Sequence, residues 1–142
     1  MILIDVNVLI YAFRKDSVDH PAYRDWLAQA MASDEPYGLA GIVLASFLRI
    51  VTHRRIYSPV TPIEVALQYV ADISVEPNCL LVAPGPRHWE IFARLCRDSK
   101  AGGDLIPDAY LAAMAIENGA ELITTGRDFS LFAGLRWRHP LR

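Results

Sequence analysis

A chain of 142 residues is the size of one domain, able to bury roughly two thirds of its unfolded surface in a single core, so one domain spanning 1–142 is expected. Hydrophobic residues make up 53% of it, yet no apolar run approaches the roughly 18 residues of a membrane span, and the surplus predicts an apolar surface that meets a partner. A net charge of −2 excludes a protein that coats nucleic acid non-specifically, although 12 of the 14 basic residues are arginines, the side chain that grips phosphate bidentately.

The start MILID has neither a basic segment nor a small-residue cleavage site, so the expected location is the cytoplasm. Cys79 and Cys96 stand singly in apolar segments and are expected to be small core residues, and the four histidines are scattered without metal-ligand spacing.

In chain order, Ile2-Leu3-Ile4 reads as a buried strand that delivers Asp5 at its carboxyl end and turns into a helix carrying Asn7, Val8, Leu9, Ile10 and Phe13. In an open α/β sheet, ligands bind outside the carboxyl ends of the strands. A carboxylate there serves chemistry, or Asp5 or Asn7 caps the helix. Asp19-His20-Pro21 opens a second helix running to about Ser33, and Tyr37 to Ala40 is a candidate short strand. Ile42 to Thr52 is dense enough in apolar residues to predict a largely buried helix, with Ser46 and Arg49 as its polar exceptions; His53-Arg54-Arg55 leaves it as a basic cluster. Thr61-Pro62-Ile63-Glu64 has the form of a capping box and predicts a helix to about Ile73.

Leu80-Leu81-Val82 predicts a short buried strand, and Gly85-Pro86 restarts a helix with Arg87, Arg94 and Arg97 on its exposed side. After a glycine-containing loop, Asp104 and Asp108 lead into an alanine-rich helix, Ala109 to Asn118, which Gly119 stops. Leu122 to Thr125 is a β-branched strand ending at Gly126-Arg127-Asp128, and Phe132, Leu135 and Trp137 supply a final apolar element. Strands alternating with helices predict a layered α/β domain around a mainly parallel sheet.

In a parallel sheet Asp5, Asp108 and Asp128 all project over one edge. Like charges gathered there are tolerable chiefly when a divalent cation neutralises them, and an all-oxygen donor set points to Mg²⁺ or Mn²⁺ over zinc. Such a cation lowers the pKa of a bound water and neutralises a phosphodiester, which points to hydrolysis of nucleic acid. Each aspartate also has a structural role open to it: Asp108 complements a helix dipole, Asp104 caps that helix, and Asp128 makes a turn. No Walker-type loop, GxGxxG, GxSxG or zinc spacing supports another chemistry. A small-molecule phosphohydrolase with Asp5 as nucleophile needs a second carboxylate two residues on, where Asn7 stands.

The segments ILIDVNVLIYAF, IVLASFLRIVTH, GPRHWEIF, LIPDAYLAAMAIENGAELITT and RDFSLFAGLRW resemble, in order and over essentially the whole chain, the PIN-domain ribonucleases, and most closely the VapC toxins of bacterial toxin-antitoxin pairs. The resemblance implies an α/β/α sandwich, an Mg²⁺- or Mn²⁺-dependent endoribonuclease acting on tRNA- or rRNA-class substrates, a homodimer, and a VapB-like antitoxin that blocks the active site. It matches Asp5 to the family's first acidic ligand and Asp108 to the acid that opens the late helix, with Asn7, Ser46 and Thr124 in support. Two positions depart from the pattern: Ser46 stands where many PIN domains carry glutamate, and Gly126 where many carry aspartate. Asp128 and Asp104 are the candidates to replace the missing charge. The other expectation is a PIN-fold module whose catalysis has decayed and which acts by binding antitoxin and RNA.

Overall fold

The computed structural model describes all residues, 1–142, and gives five strands in one all-parallel sheet. In chain order the elements are β1 (Ile2–Ile4), α1 (Val6–Phe13), α2 (His20–Ala32), β2 (Tyr37–Ala40), α3 (Gly41–Val51), α4 (Ile63–Ser74), β3 (Cys79–Val82), α5 (His88–Ser99), α6 (Leu105–Glu117), β4 (Glu121–Ile123) and β5 (Trp137–Arg138), with a 3₁₀ turn at Arg127–Leu131.

The strand order is β3-β2-β1-β4-β5. Successive connections from β1 to β2 to β3 move towards one edge, and the connection from β3 to β4 jumps back across the sheet. Right-handed crossovers therefore carry α1–α4 over one face and α5–α6 over the other. The packing follows that division: α1 lies against α2 and α3, and α3 against α4, while α5 lies against α6, and α6 against the 3₁₀ turn. The reversal of direction falls between β1 and β4, whose registers pair Leu3 with Leu122 and Ile4 with Ile123. A crevice opens at such a switch point, outside the carboxyl ends of the strands.

The central strands β1 and β2 are buried at every position, as strands covered by helices on both faces should be. Leu3, Leu39 and Leu122 from the sheet, Phe47 from α3, Leu95 from α5 and Met114 from α6 are among the fully buried side chains of a single core. Alanines 109, 112, 113 and 115 let α6 approach the sheet closely, as its composition predicts.

Three local expectations are corrected. The predicted buried strand at Leu80–Val82 is the sheet's edge, with Leu80 and Leu81 46% and 72% exposed; an apolar run does not distinguish a central strand from an exposed edge. The capping box at Thr61 does not form. Pro62 occupies the cap of α4 without a side-chain bond, and the buried Thr61 hydroxyl instead accepts a hydrogen bond from Arg14, 47 residues away. The alanine-rich helix begins at Leu105, four residues before the alanines start, because Pro107 is tolerated in a first turn, where its missing N–H has no partner to lose.

Candidate active site

Asp5 follows the last residue of β1 and caps α1. Its main-chain N–H continues the sheet ladder by donating to the Ile123 carbonyl at 2.9 Å, which fixes it beside β4. Its side chain is nearly buried, 7% exposed, and both oxygens are engaged: Oδ1 accepts from the Val6 N–H at 2.7 Å and Oδ2 from the Thr124 hydroxyl at 2.6 Å. Capping and chemistry are therefore not alternatives here, because one carboxylate makes the cap bond and still faces the crevice.

Thr124, fully buried just past β4, relays the arrangement: its Oγ1 donates to Asp5 and accepts from the Gly126 N–H at 3.0 Å. The turn after β4 thus holds the Asp5 carboxylate in one orientation. A Cβ placed on Gly126 would lie 3.3 Å from the Phe129 ring and 3.5 Å from Thr124 Oγ1, so a side chain there would enter the same corner, closely packed.

Asp5, Val6, Ile42, Val43, Ser46, Pro107, Asp108 and Leu111 line a cleft of about 70 Å³, room for a few waters or a partly hydrated cation. Helical spacing supplies each wall: Ile42 and Ser46 are four apart on α3, as are Pro107 and Leu111 on α6. The structure brings Asp5, Asp108 and Ser46 together from three elements. Asn7 lies half-buried in the first turn of α1, outside the residues that line the cleft. Asp104 is the positional cap of α6 without a side-chain cap bond, and Asp128 sits in the first turn of the 3₁₀ segment; both are exposed at the margin.

The margin acids still act electrically. Asp108 is pushed up to about 6, first by burial and then by the charges of Asp5, Asp128 and Asp104. Burial also pushes Asp5 above the usual carboxylate range, opposed by the hydrogen bonds from Thr124 and Val6. Two donors favour the charged form of Asp5, whereas no side-chain or backbone donor serves Asp108.

The donors are all oxygen and suit a hard divalent cation, which takes one or two carboxylates and keeps several waters. The arrangement is not a closed cage, since no three of the chain's acids, imidazoles and thiols converge closely enough to hold an ion by themselves. A third carboxylate, which the PIN-domain resemblance leads one to expect on α3, is missing at Ser46, and Asp128 is not among the residues that line the cleft. Sequence patterns had marked the acids; the apolar walls at Ile42, Pro107 and Leu111 were legible only as core spacing.

The PIN domain family model matches residues 2–135. Among curated proteins, the chain is 45% identical over 141 residues to ribonuclease VapC43 of Mycobacterium tuberculosis, covering 99% of this chain and 96% of that protein. It is 41% identical over 140 residues to ribonuclease VapC25 of the same organism, covering 99% of each. Among solved structures, the VapBC2 complex of Rickettsia felis bound to a DNA fragment from its promoter superposes with a TM-score of 0.74 at 18% identity, covering 98% of each chain; at that identity the likeness speaks for the fold. On the strength of the family match along nearly its full length and of these relatives, the chain belongs to the PIN-domain family, among its VapC ribonucleases.

Proposed function

We propose that this protein is an endoribonuclease toxin that hydrolyses RNA phosphodiester bonds with Mg²⁺ or Mn²⁺ at the crevice of Asp5 and Asp108. The observation that supports the metal reading is the convergence of the Asp5 and Asp108 carboxylates on one cleft walled by apolar groups, where burial and the neighbouring carboxylates push Asp108 up to about 6, an arrangement that a cation would offset. The ribonuclease reading is supported by the VapC relatives, which align over nearly the whole chain.

Asp5 and Asp108 would hold the ion, with Ser46 placed to bind a water beside it and Asp128 and Asp104 adding negative potential from the margin. When bound, such an ion supplies Lewis-acid chemistry, activating water and offsetting charge on the phosphodiester. The chain's own work is orientation: Thr124 and the Val6 N–H lock the Asp5 carboxylate, and the Gly126 N–H locks Thr124. Ile42, Val43, Pro107 and Leu111 wall the cleft with apolar groups, which strengthens electrostatic interactions inside it.

An apolar groove of about 330 Å³, lined in part by Ile42, Leu44, Leu81, Tyr110 and Met114, adjoins the crevice through Ile42. Together with the exposed β3 edge it supports a partner-covered surface: a second copy of this chain, and a VapB-like antitoxin that closes the crevice. VapBC complexes among the fold neighbours support the antitoxin. A cytoplasmic setting suits an enzyme acting on tRNA or rRNA, and no helix is long and apolar enough to cross a membrane.

The test is incubation of antitoxin-free protein with total cellular RNA, with and without Mn²⁺ or Mg²⁺, beside Asp5→Asn and Asp108→Asn. The expected result is discrete, metal-dependent cleavage that both substitutions abolish. RNA binding without cleavage in either metal would replace this reading with that of a decayed binding module.

A further inference from the structure

The acidic crevice repels the very polymer the proposed chemistry requires, and the chain's net charge of −2 gives no general attraction to compensate. Binding energy for RNA must therefore come from a localised basic surface. Besides the His53-Arg54-Arg55 run after α3, with both arginines exposed, one groove of the molecule supplies it. Helices α5 and α6, joined by Lys100 to Asp104, pack as a hairpin in which the start of α5 lies against the end of α6: the Gly85 and Arg87 N–H groups donate to the two carboxylate oxygens of Glu117 at 2.8 and 2.9 Å. Arg87, just before α5, and Glu90, Arg94 and Arg97 on its outer face line a groove of about 380 Å³ with the buried Ile91 and with Ile116 and Glu117 of α6.

These arginines are not used to hold the fold. The chain's four ion pairs are Met1–Glu35, Arg14–Asp16, Arg24–Asp25 and Arg138–Glu121, none of them in the groove. Arg94 reaches only the Ala133 carbonyl, at 3.5 Å. Glu117 spends both oxygens on main-chain donors, so neither it nor Glu90 pairs with a guanidinium, and three arginines face two carboxylates across the groove. Arg94 and Arg97, three apart on one face, repel each other slightly; Glu90, four residues before Arg94, offsets part of that, and Arg97 in the last turn complements the helix dipole, each effect well under about 1 kcal/mol, so none of the three arginines is held by a strong bond to the fold.

Resting on the ribonuclease reading, we propose that the Arg87–Arg94–Arg97 groove is a backbone-binding subsite that grips phosphates of the RNA substrate away from the scissile bond. From Arg87 to Arg97 is about 15 Å along the helix axis at 1.5 Å per residue, longer than a single small anion and matched to a run of phosphates. Guanidinium forks pair bidentately with phosphate oxygens. The stripe also has the right direction. It ends three residues before Lys100, on the side of the hairpin where α6 begins and presents Asp108, so a strand lying along it is led towards the crevice. The groove contacts phosphates and so adds affinity without reading sequence.

The test measures binding of the full chain to fluorescently labelled bulk tRNA in EDTA across a salt series, for wild type, Arg94→Gln/Arg97→Gln and Arg94→Lys/Arg97→Lys. The glutamine pair is expected to weaken binding about tenfold and to flatten the slope of log affinity against log salt by between about 1.4 and 1.8, two lost phosphate contacts. The lysine pair keeps most of the slope. Added Mn²⁺ should then show a raised KM for total RNA with kcat unchanged. Unaltered affinity and slope in a folded glutamine pair overturn the proposal, as does an equal loss in the lysine pair, which points to packing. Loss of binding to a poly-glutamate probe with tRNA binding intact overturns it in favour of an acidic polypeptide. A flattened slope in a chain whose wild type cleaves no RNA with Mn²⁺ supports the groove and removes the ribonuclease reading.

Discussion

Helix α1 carries a charged side chain at each end, Asp5 at its start and Arg14 at its finish, and the two ends handle charge in opposite ways. Arg14 is satisfied in every direction. Its Nε and Nη2 donate to the Asp16 carboxylate at 2.9 and 2.7 Å, Nη1 and Nη2 to the Pro59 carbonyl at 3.2 Å, and Nη1 to the Thr61 hydroxyl at 3.2 Å, while the guanidinium stacks 3.9 Å above the Tyr57 ring. A cation at a helix C-terminus also complements the dipole. At the other end, Asp5 is locked by two hydrogen bonds but faces Asp108 with more carboxylates behind it. Charge that is neutralised and bonded within the chain ties loops together; charge of one sign gathered without a counter-ion raises the pKa of its own members.

The comparison can be broken most forcefully at Asp5. Asp5→Asn should lower metal-dependent RNA cleavage at least about 100-fold, the upper end of what disturbing even an outer partner of a metal ligand costs, while circular dichroism stays unchanged. Arg14→Ala should do the reverse, lowering unfolding free energy by about 1–3 kcal/mol in a denaturant titration, because the Thr61 and Pro59 acceptors lose a charged donor, with Mn²⁺ affinity unaltered. Ser46→Glu sharpens the contrast by restoring a carboxylate to the cleft wall. It should tighten Mn²⁺ binding about tenfold in calorimetry, since ligand charge tunes such sites, and no gain would remove Ser46 from the site.

The smallest effect is a pH-dependent one. Asp108 has a folded carboxyl pKa raised to about 6 from an ordinary 3.8, so between those values the folded state binds more protons than the unfolded state. Stability of the metal-free protein then falls as pH rises through that window and stays lower above it. Asp108→Asn lacks this loss. Its thermal midpoint should exceed that of wild type at a pH of about 8 and converge with it near pH 4.

The layered α/β domain, the strand that delivers Asp5 and the acids at strand and helix starts were legible in the sequence, while the gaps at Ser46 and Gly126 showed only against the PIN-domain resemblance. Those features are local or patterned: a period of apolar residues, a glycine stop, a carboxylate after a hydrophobic run. Strand order was not legible, because register across β1 and β4 joins residues some 119 apart in the chain, and so the switch point that makes the crevice could be seen only in three dimensions. For the same reason Thr61 read as a helix cap, the local use of a threonine before proline, whereas in the fold its hydroxyl serves a distant arginine. The role of the Gly126 N–H in locking Thr124 is a backbone contact that no residue type announces. Leu80 and Leu81 read as core because an exposed apolar edge strand and a buried strand have the same composition.

The most direct test of the account is a calorimetric Mn²⁺ titration of the wild-type chain at pH values of about 7.5 and about 5, with Asp108→Asn alongside. Binding is expected at the higher pH with proton release, weakening about tenfold or more at the lower pH as Asp108 protonates, and lost in the variant. Binding of equal strength at both pH values, and undiminished in Asp108→Asn, would contradict it.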